Sequence, residues 1–256
     1  MGASPIFFMR IRLPILLLFS IAASLAPASA QDDRRLLLLS PDGQVEFRLF
    51  IGVPPEGIYP RLAYLVNYQG KPLVEPSFLG FDIKNQEPML GENVGLVTSR
   101  TSTEGRFNTL VAEFMQNGSL GRRIDLEVRA YNDGVAFRYK LPRSGPLDEL
   151  FVRDEITEFA VADGVMEGKG MLTMPVVAVL RGGGFVEIAE GKAGTYPHAR
   201  LEIESGSILI TRLSQRGDDP NLAWSSMTPT VFPWRAVVVA GTREKLARSQ
   251  ILADLK

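Results

Sequence analysis

The chain has 256 residues, 45% of them hydrophobic and 22% charged, which is enough for a sizeable core and unlike a disordered composition. Lys and Arg number 28 against 29 Asp and Glu, a net charge of −1 that offers no electrostatic footprint for nucleic acid. Cysteine is absent and His198 is the single histidine, so disulfides, thiolate zinc sites and two-histidine metal motifs are excluded.

In chain order, the first predicted element is an export signal. Arg10 and Arg12 form a basic start, Leu13 to Ala26 is an uncharged and mostly apolar run, and Ala28-Ser29-Ala30 places small residues where a signal peptidase reads. Cleavage is expected after Ala30, so that residues 1–30 are a signal peptide and residues 31–256 the mature domain, in a bacterial periplasm or outside the cell. As a helix the apolar run reaches about 21 Å, short of a hydrocarbon core of roughly 30 Å, so a removable signal fits better than an anchor. With the signal removed, no membrane partner is expected.

The rest reads as strands. Val45, Phe47, Leu49 and Ile51 share one face and Gln44, Glu46 and Arg48 the other, the period of two that marks a strand. Leu62, Tyr64, Val66 and Tyr68 repeat the pattern before Gln69-Gly70. Leu110, Ala112 and Phe114 do so before Asn117-Gly118. Ile124, Leu126, Val128 and Ala130 then run into a turn at Asn132-Asp133-Gly134, and Val135, Phe137, Tyr139 and Leu141 return. Further strands are predicted at 176–180, 185–189, 200–204, 208–213 and 235–240. One short C-terminal helix is predicted over 244–255, with Leu246, Ile251, Leu252 and Leu255 on its inner face and Gly241-Thr242 before it as a cap. Many closely spaced strands and almost no helix predict an all-β sandwich or barrel.

Few residues stand out chemically. Gly182-Gly183-Gly184 lacks the Lys-Ser/Thr of a P-loop and reads as a turn. His198 follows Tyr196-Pro197 and reads as a loop histidine. Glycoside hydrolysis generally needs two facing carboxylates, whereas Asp154 and Glu155 are adjacent on a strand and point to opposite sides. Glu190, from its chemistry alone, reads as a surface carboxylate at the end of a strand. Trp224 and Trp234 have faces suited to sugars, although Trp234 in Phe232-Pro233-Trp234-Arg235 reads as core packing before an apolar strand.

The order of short motifs is more specific. Ser40-Pro41-Asp42-Gly43 is followed by Tyr68-Gln69-Gly70-Lys71-Pro72-Leu73 and Ser77-Phe78-Leu79-Gly80. Tyr131-Asn132-Asp133-Gly134-Val135-Ala136-Phe137-Arg138-Tyr139 comes next, then Glu155-Ile156-Thr157-Glu158-Phe159 and Pro233-Trp234-Arg235. This series, from about Leu38 to Leu255, resembles the N-terminal domain of glycoside hydrolase family 97. The resemblance implies a β-super-sandwich similar to the galactose mutarotase fold. In that family the sandwich precedes a (β/α)8 barrel that carries the catalytic carboxylates of α-glucosidases or α-galactosidases, enzymes that use calcium. It also implies a metal-site role for Glu190. The family's calcium-binding glutamate lies in an Ile-His-Glu-Ala stretch shortly before Asp-Tyr-Pro, and Ile188-Ala189-Glu190-Gly191 before Tyr196-Pro197 matches it. Ala189 and Gly191 replace the family's His and Ala, and Val161 to Thr173 lacks a tryptophan and Tyr-Glu stretch usual in the family.

The resulting expectation is an ancillary, carbohydrate-associated domain. It has no catalytic residues of its own, its partner is a barrel chain, and calcium binds only when that barrel completes the site. The alternatives are a free-standing secreted carbohydrate-binding or scaffold module and, by fold analogy alone, a mutarotase-like enzyme, which the lone histidine disfavours.

Overall fold

The structure is a computed structural model that describes residues 1–2, 36–118 and 121–255, and the expected signal segment with its cleavage point lies outside the described residues. Residues 34–256 form one unit. Its described strands begin with β1 (Leu36–Leu39), β2 (Val45–Gly52), β3 (Arg61–Tyr68), β4 (Lys71–Phe78), β5 (Phe81–Ile83), β6 (Gln86–Leu90) and β7 (Val94–Thr103). They continue with β8 (Phe107–Gln116), β9 (Arg123–Tyr131), β10 (Gly134–Leu141), β11 (Glu149–Glu155), β12 (Glu158–Val161), β13 (Gly164–Met166) and β14 (Met171–Thr173). The last are β15 (Val176–Leu180), β16 (Phe185–Glu190), β17 (Ala199–Ser205), β18 (Ile208–Leu213), β19 (Trp224–Met227), β20 (Thr230–Val231) and β21 (Arg235–Ala240), followed by helices α1 (Arg243–Ala247) and α2 (Gln250–Asp254).

Two large antiparallel sheets dominate. One has the order β1-β2-β3-β4-β12-β18-β17-β14, and the other β13-β15-β16-β21-β10-β9-β8-β7 with β20 joined to β10. A smaller sheet, β19-β11-β5-β6, lies beside them. The fold is all-β, as the alternation of the sequence predicts, and it is the super-sandwich that the family resemblance implies. Each strand with period two contributes one face to the shared interior. Phe47 of β2, Tyr64 of β3 and Phe159 of β12 come from one sheet and meet Phe137 of β10 from the other, with ring centroids 5.1–6.5 Å apart. Tyr64 and Tyr139 keep their hydroxyls satisfied, by Glu158 O at 2.8 Å and Thr157 Oγ1 at 2.7 Å.

The Asp133-Gly134 turn has a stringent requirement. Gly134 has φ +148°, and a Cβ there would lie 2.1 Å from the carbonyl oxygen of Val237 on the neighbouring β21. Any side chain would push β21 out of register, so glycine is needed where β9 turns into β10.

The outer face of the second large sheet holds a smaller core. Phe107, Tyr131, Ala136, Ala236 and Val238 pack there against Leu246, Ile251 and Leu255. The C-terminal segment is therefore helical as expected, but it forms two helices rather than one. Leu246 and Ile251 are five residues apart, which on a continuous helix leaves them roughly 140° out of phase. The break at Arg248-Ser249 brings both onto the sheet. Thr242 Oγ1 accepts from Lys245 N to start α1, and Ser249 Oγ accepts from Ile251 N to start α2. No helix among the described residues is long and apolar enough to cross a membrane.

A buried Arg235 network as the candidate functional site

The motifs scattered along the sequence converge at one end of β16 and β21. Glu190 closes β16 and lies in register opposite Arg235, which opens β21. Glu155 closes β11, and Thr157 follows it in the crossing to β12. Tyr196 and His198 lie in the loop between β16 and β17.

Arg235 is the hub. Its Nε donates to Glu155 Oε1 at 2.9 Å and its Nη2 to Glu155 Oε2 at 2.6 Å, a two-pronged pairing in which each side chain is 1% exposed. Its Nη1 donates to Glu190 Oε2 at 2.9 Å. Glu155 also accepts from the Thr157 hydroxyl at 2.9 Å and the Tyr196 hydroxyl at 3.0 Å, so both carboxylate oxygens are fully occupied. Since Thr157 gives its only hydroxyl proton to Glu155, Tyr139 is the donor in its contact with Thr157. Thr211 of β18 ties the backbone down, donating to Glu155 O and accepting from Thr157 N.

Burial alone pulls the Arg235 guanidinium down, but the adjoining Glu155 carboxylate outweighs it and raises the proton affinity of Arg235. Burial and the same carboxylate hold the Tyr196 and Tyr139 phenols well above their ordinary value. Arg235 is therefore a permanent cation and the two tyrosines are permanent donors.

Glu190 departs from its reading as a surface carboxylate. It is 11% exposed, because its parity along β16 is that of the inward-facing Val186 and Ile188. Its Oε2 also accepts from Ala199 N at 3.2 Å, and its Oε1 meets Nδ1 of His198, whose side chain is 80% exposed. The network thus runs from the interior to solvent through Tyr139, Thr157, Glu155, Arg235, Glu190 and His198. Gly191, next to Glu190, lets the end of α2 come close. A Cβ there would stand 3.2 Å from Leu255 O, and Lys192 N donates to that same carbonyl at 3.0 Å.

Trp234 packs, partly buried, against the smaller core on the outer face of the sheet. It lies there between two guanidinium groups, Arg129 at 4.6 Å and Arg138 at 4.4 Å from the ring. Trp224 instead packs edge-on against Tyr196 and Phe232.

This arrangement suits the presentation of one carboxylate oxygen rather than acid–base chemistry. Glu155 is sealed from solvent, and it shares Arg235 with Glu190 instead of facing it across a cleft. Among the described residues no three His, Asp or Glu side chains converge so as to hold a metal ion. These residues therefore do not fit a complete calcium site, which takes six to eight oxygens.

Asp154, on the far side of Glu155, gives a pH signature. Burial raises its carboxyl to about 6, even though it accepts from Leu213 N and Glu155 N. A carboxyl raised in the folded state lies above its unfolded value of about 3.9, so stability falls as pH rises from about 4 to 6. Asp154→Asn is expected to be more stable than the parent by about 2 kcal/mol at pH 7.5 and equal to it at pH 4, as read by urea denaturation at both pH values. A difference that does not vary with pH would contradict this. Asp125, also raised by burial to about 6, leaves the variant a residual dependence of the same sign.

Residues 38–167 match the family model described as Glycosyl-hydrolase 97 N-terminal. A retaining alpha-galactosidase of Bacteroides thetaiotaomicron is 28% identical over 138 residues, which cover 48% of this chain and 19% of that protein. A glycoside hydrolase family 97 enzyme in complex with acarbose, from Pseudoalteromonas sp. strain K8, shares the fold with a TM-score of 0.74 at 18% identity, over 86% of this chain and 38% of that one. A beta-arabinopyranosidase does so with a TM-score of 0.64 at 20% identity, over 80% and 40%. The chain thus spans about a fifth of the length of the curated relative and less than half of either enzyme structure.

Proposed function

Because this chain belongs to the glycosyl-hydrolase 97 N-terminal family, we propose that it is an ancillary, carbohydrate-associated domain of an α-glycosidase, packing on a (β/α)8 catalytic barrel and lending it Glu190. The observation that carries this reading is the way Glu190 is held. Arg235 and Ala199 N fix Oε2, while among the described residues Oε1 meets only the exposed imidazole of His198. A group held on one side and screened by a movable side chain on the other is preorganised to receive a partner. On this reading Glu190 supplies one ligand to a calcium ion whose other carboxylates belong to the barrel. When bound, such an ion would supply positive charge at the junction with the barrel. Arg235 orients Glu190 through its hydrogen bond to Oε2, and His198 moves aside.

The chain alone is then not a hydrolase. Incubation with aryl α-glucosides and α-galactosides is expected to give no turnover. Hydrolysis that survives purification and is lost in a single variant of this chain would overturn the reading.

A further inference from the structure

A second site lies away from the Arg235 network, under the loop that joins β2 to β3. A cavity of about 890 Å³ opens between Pro54–Tyr59, the β6 strand, the start of β12 and the end of β17. That volume is at the upper end of small-molecule clefts, which run from about 300 to 1,000 Å³. Part of its wall is apolar, with Ile58 89% exposed and Tyr59, Phe78 and Met89 beside it.

Its charge is one-sided. Glu56, Asp82, Glu87, Glu92, Glu158 and Glu204 line it against a single base, Arg61. Arg61 is largely spent elsewhere. Its Nε donates to Leu79 O at 3.1 Å and its Nη2 to Ile156 O at 2.7 Å, leaving Glu158 a distant 3.9 Å contact. Asp82 has Arg153 at 3.5 Å, whereas Glu87 and Glu204 are exposed and make no ion pair among the described residues. Burial pushes the Glu92 and Glu158 carboxyls up, as it does for anions short of cationic partners.

The chain as a whole is nearly neutral, so this concentration of acid is local. Since no three carboxylates converge among the described residues, a point ion such as calcium finds no cage. A neutral sugar leaves the charges unanswered. Lysine and arginine side chains answer both features, because their aliphatic stems lie on apolar walls while their heads reach separate carboxylates. We propose that this groove docks a basic polypeptide segment of a partner protein, with alternating Lys/Arg and apolar residues.

The test uses the full chain and a fluorescein-labelled nonapeptide of alternating arginine and leucine, with anisotropy as the readout. The expected result is saturable binding that weakens with added salt and weakens about tenfold or more in Glu87→Gln/Glu204→Gln. Both positions are exposed, so the fold tolerates the change, and circular dichroism of the variant checks it. Glu149→Gln/Glu244→Gln, which removes two acids outside the groove, is expected to bind as the parent does. Equal weakening by both double variants would show general charge attraction and overturn the proposal. Equal binding of a peptide with glutamate in place of arginine would overturn it, as would equal competition by spermidine or calcium, which would point to a small cation.

Discussion

Replacing Arg235 with alanine is expected to cost about 3–5 kcal/mol of folding free energy, measured as a lower midpoint in urea. The loss is large because Glu155 has no other cationic partner among the described residues. Its carboxylate is 1% exposed and would keep only the Thr157 and Tyr196 hydroxyls, leaving an uncompensated charge in the interior. Glu190 would also lose one of the two donors that fix Oε2, keeping only Ala199 N. Glu155→Gln is expected to be damaging too, since it leaves the buried guanidinium only the Glu190 carboxylate as a charged partner. The informative variant is the double change Arg235→Met/Glu155→Leu. It removes both charges together, so its cost is expected to be smaller than the sum of the single costs. A single Arg235→Ala cost under about 1 kcal/mol, or strict additivity of the pair, would show that the network is not the anchor described here.

Phe137→Ala is expected to be comparably severe, at about 3–5 kcal/mol. Phe137 is fully buried and touches rings on both sheets: Phe47, Tyr64 and Phe159 across the sandwich and Tyr139 beside it on β10. Removing it empties the centre of the core and forfeits several tilted and edge-to-face ring contacts. Phe151→Ala provides the control, because that ring is 41% exposed on β11 and its loss is expected to cost well under half as much. Equal costs at the two positions would place the core elsewhere.

The strands legible as alternation in the sequence are β2, β3, β8, β9 and β10, whose apolar residues recur every second position on the face turned to the shared interior. β21 was legible as a short apolar run, and it is buried on both faces, by the main core and by the smaller core under the C-terminal helices. β7 gave no such signal because nine of its ten residues are partly or fully exposed. β4 was hidden by Pro72 and Pro76, and β1 by its four consecutive leucines.

The site was half legible. Glu190, Glu155, Tyr196 and Arg235 all stood in motifs that suggested the family, but motif order does not say that an arginine sits 80 residues from the carboxylate it neutralises. A cue was present in the parity. Arg235 falls in step with the inward Val237 and Val239, and Glu190 with Val186 and Ile188. Two opposite charges in inward positions on separate strands imply a buried partnership. The groove beneath the 54–59 loop had no local signal, because its acids come from six separate places in the chain.

The claim that Glu190 is presented to a partner rather than to a self-contained site is tested most directly by calorimetric titration of calcium. The chain alone is expected to bind no tighter than roughly millimolar, as one carboxylate and water attract the ion weakly. Adding a separately produced catalytic barrel of the family should tighten binding, and Glu190→Gln should abolish that gain. Micromolar calcium binding by the chain alone, lost in Glu190→Gln, would contradict the account, as would an affinity that the barrel leaves unchanged.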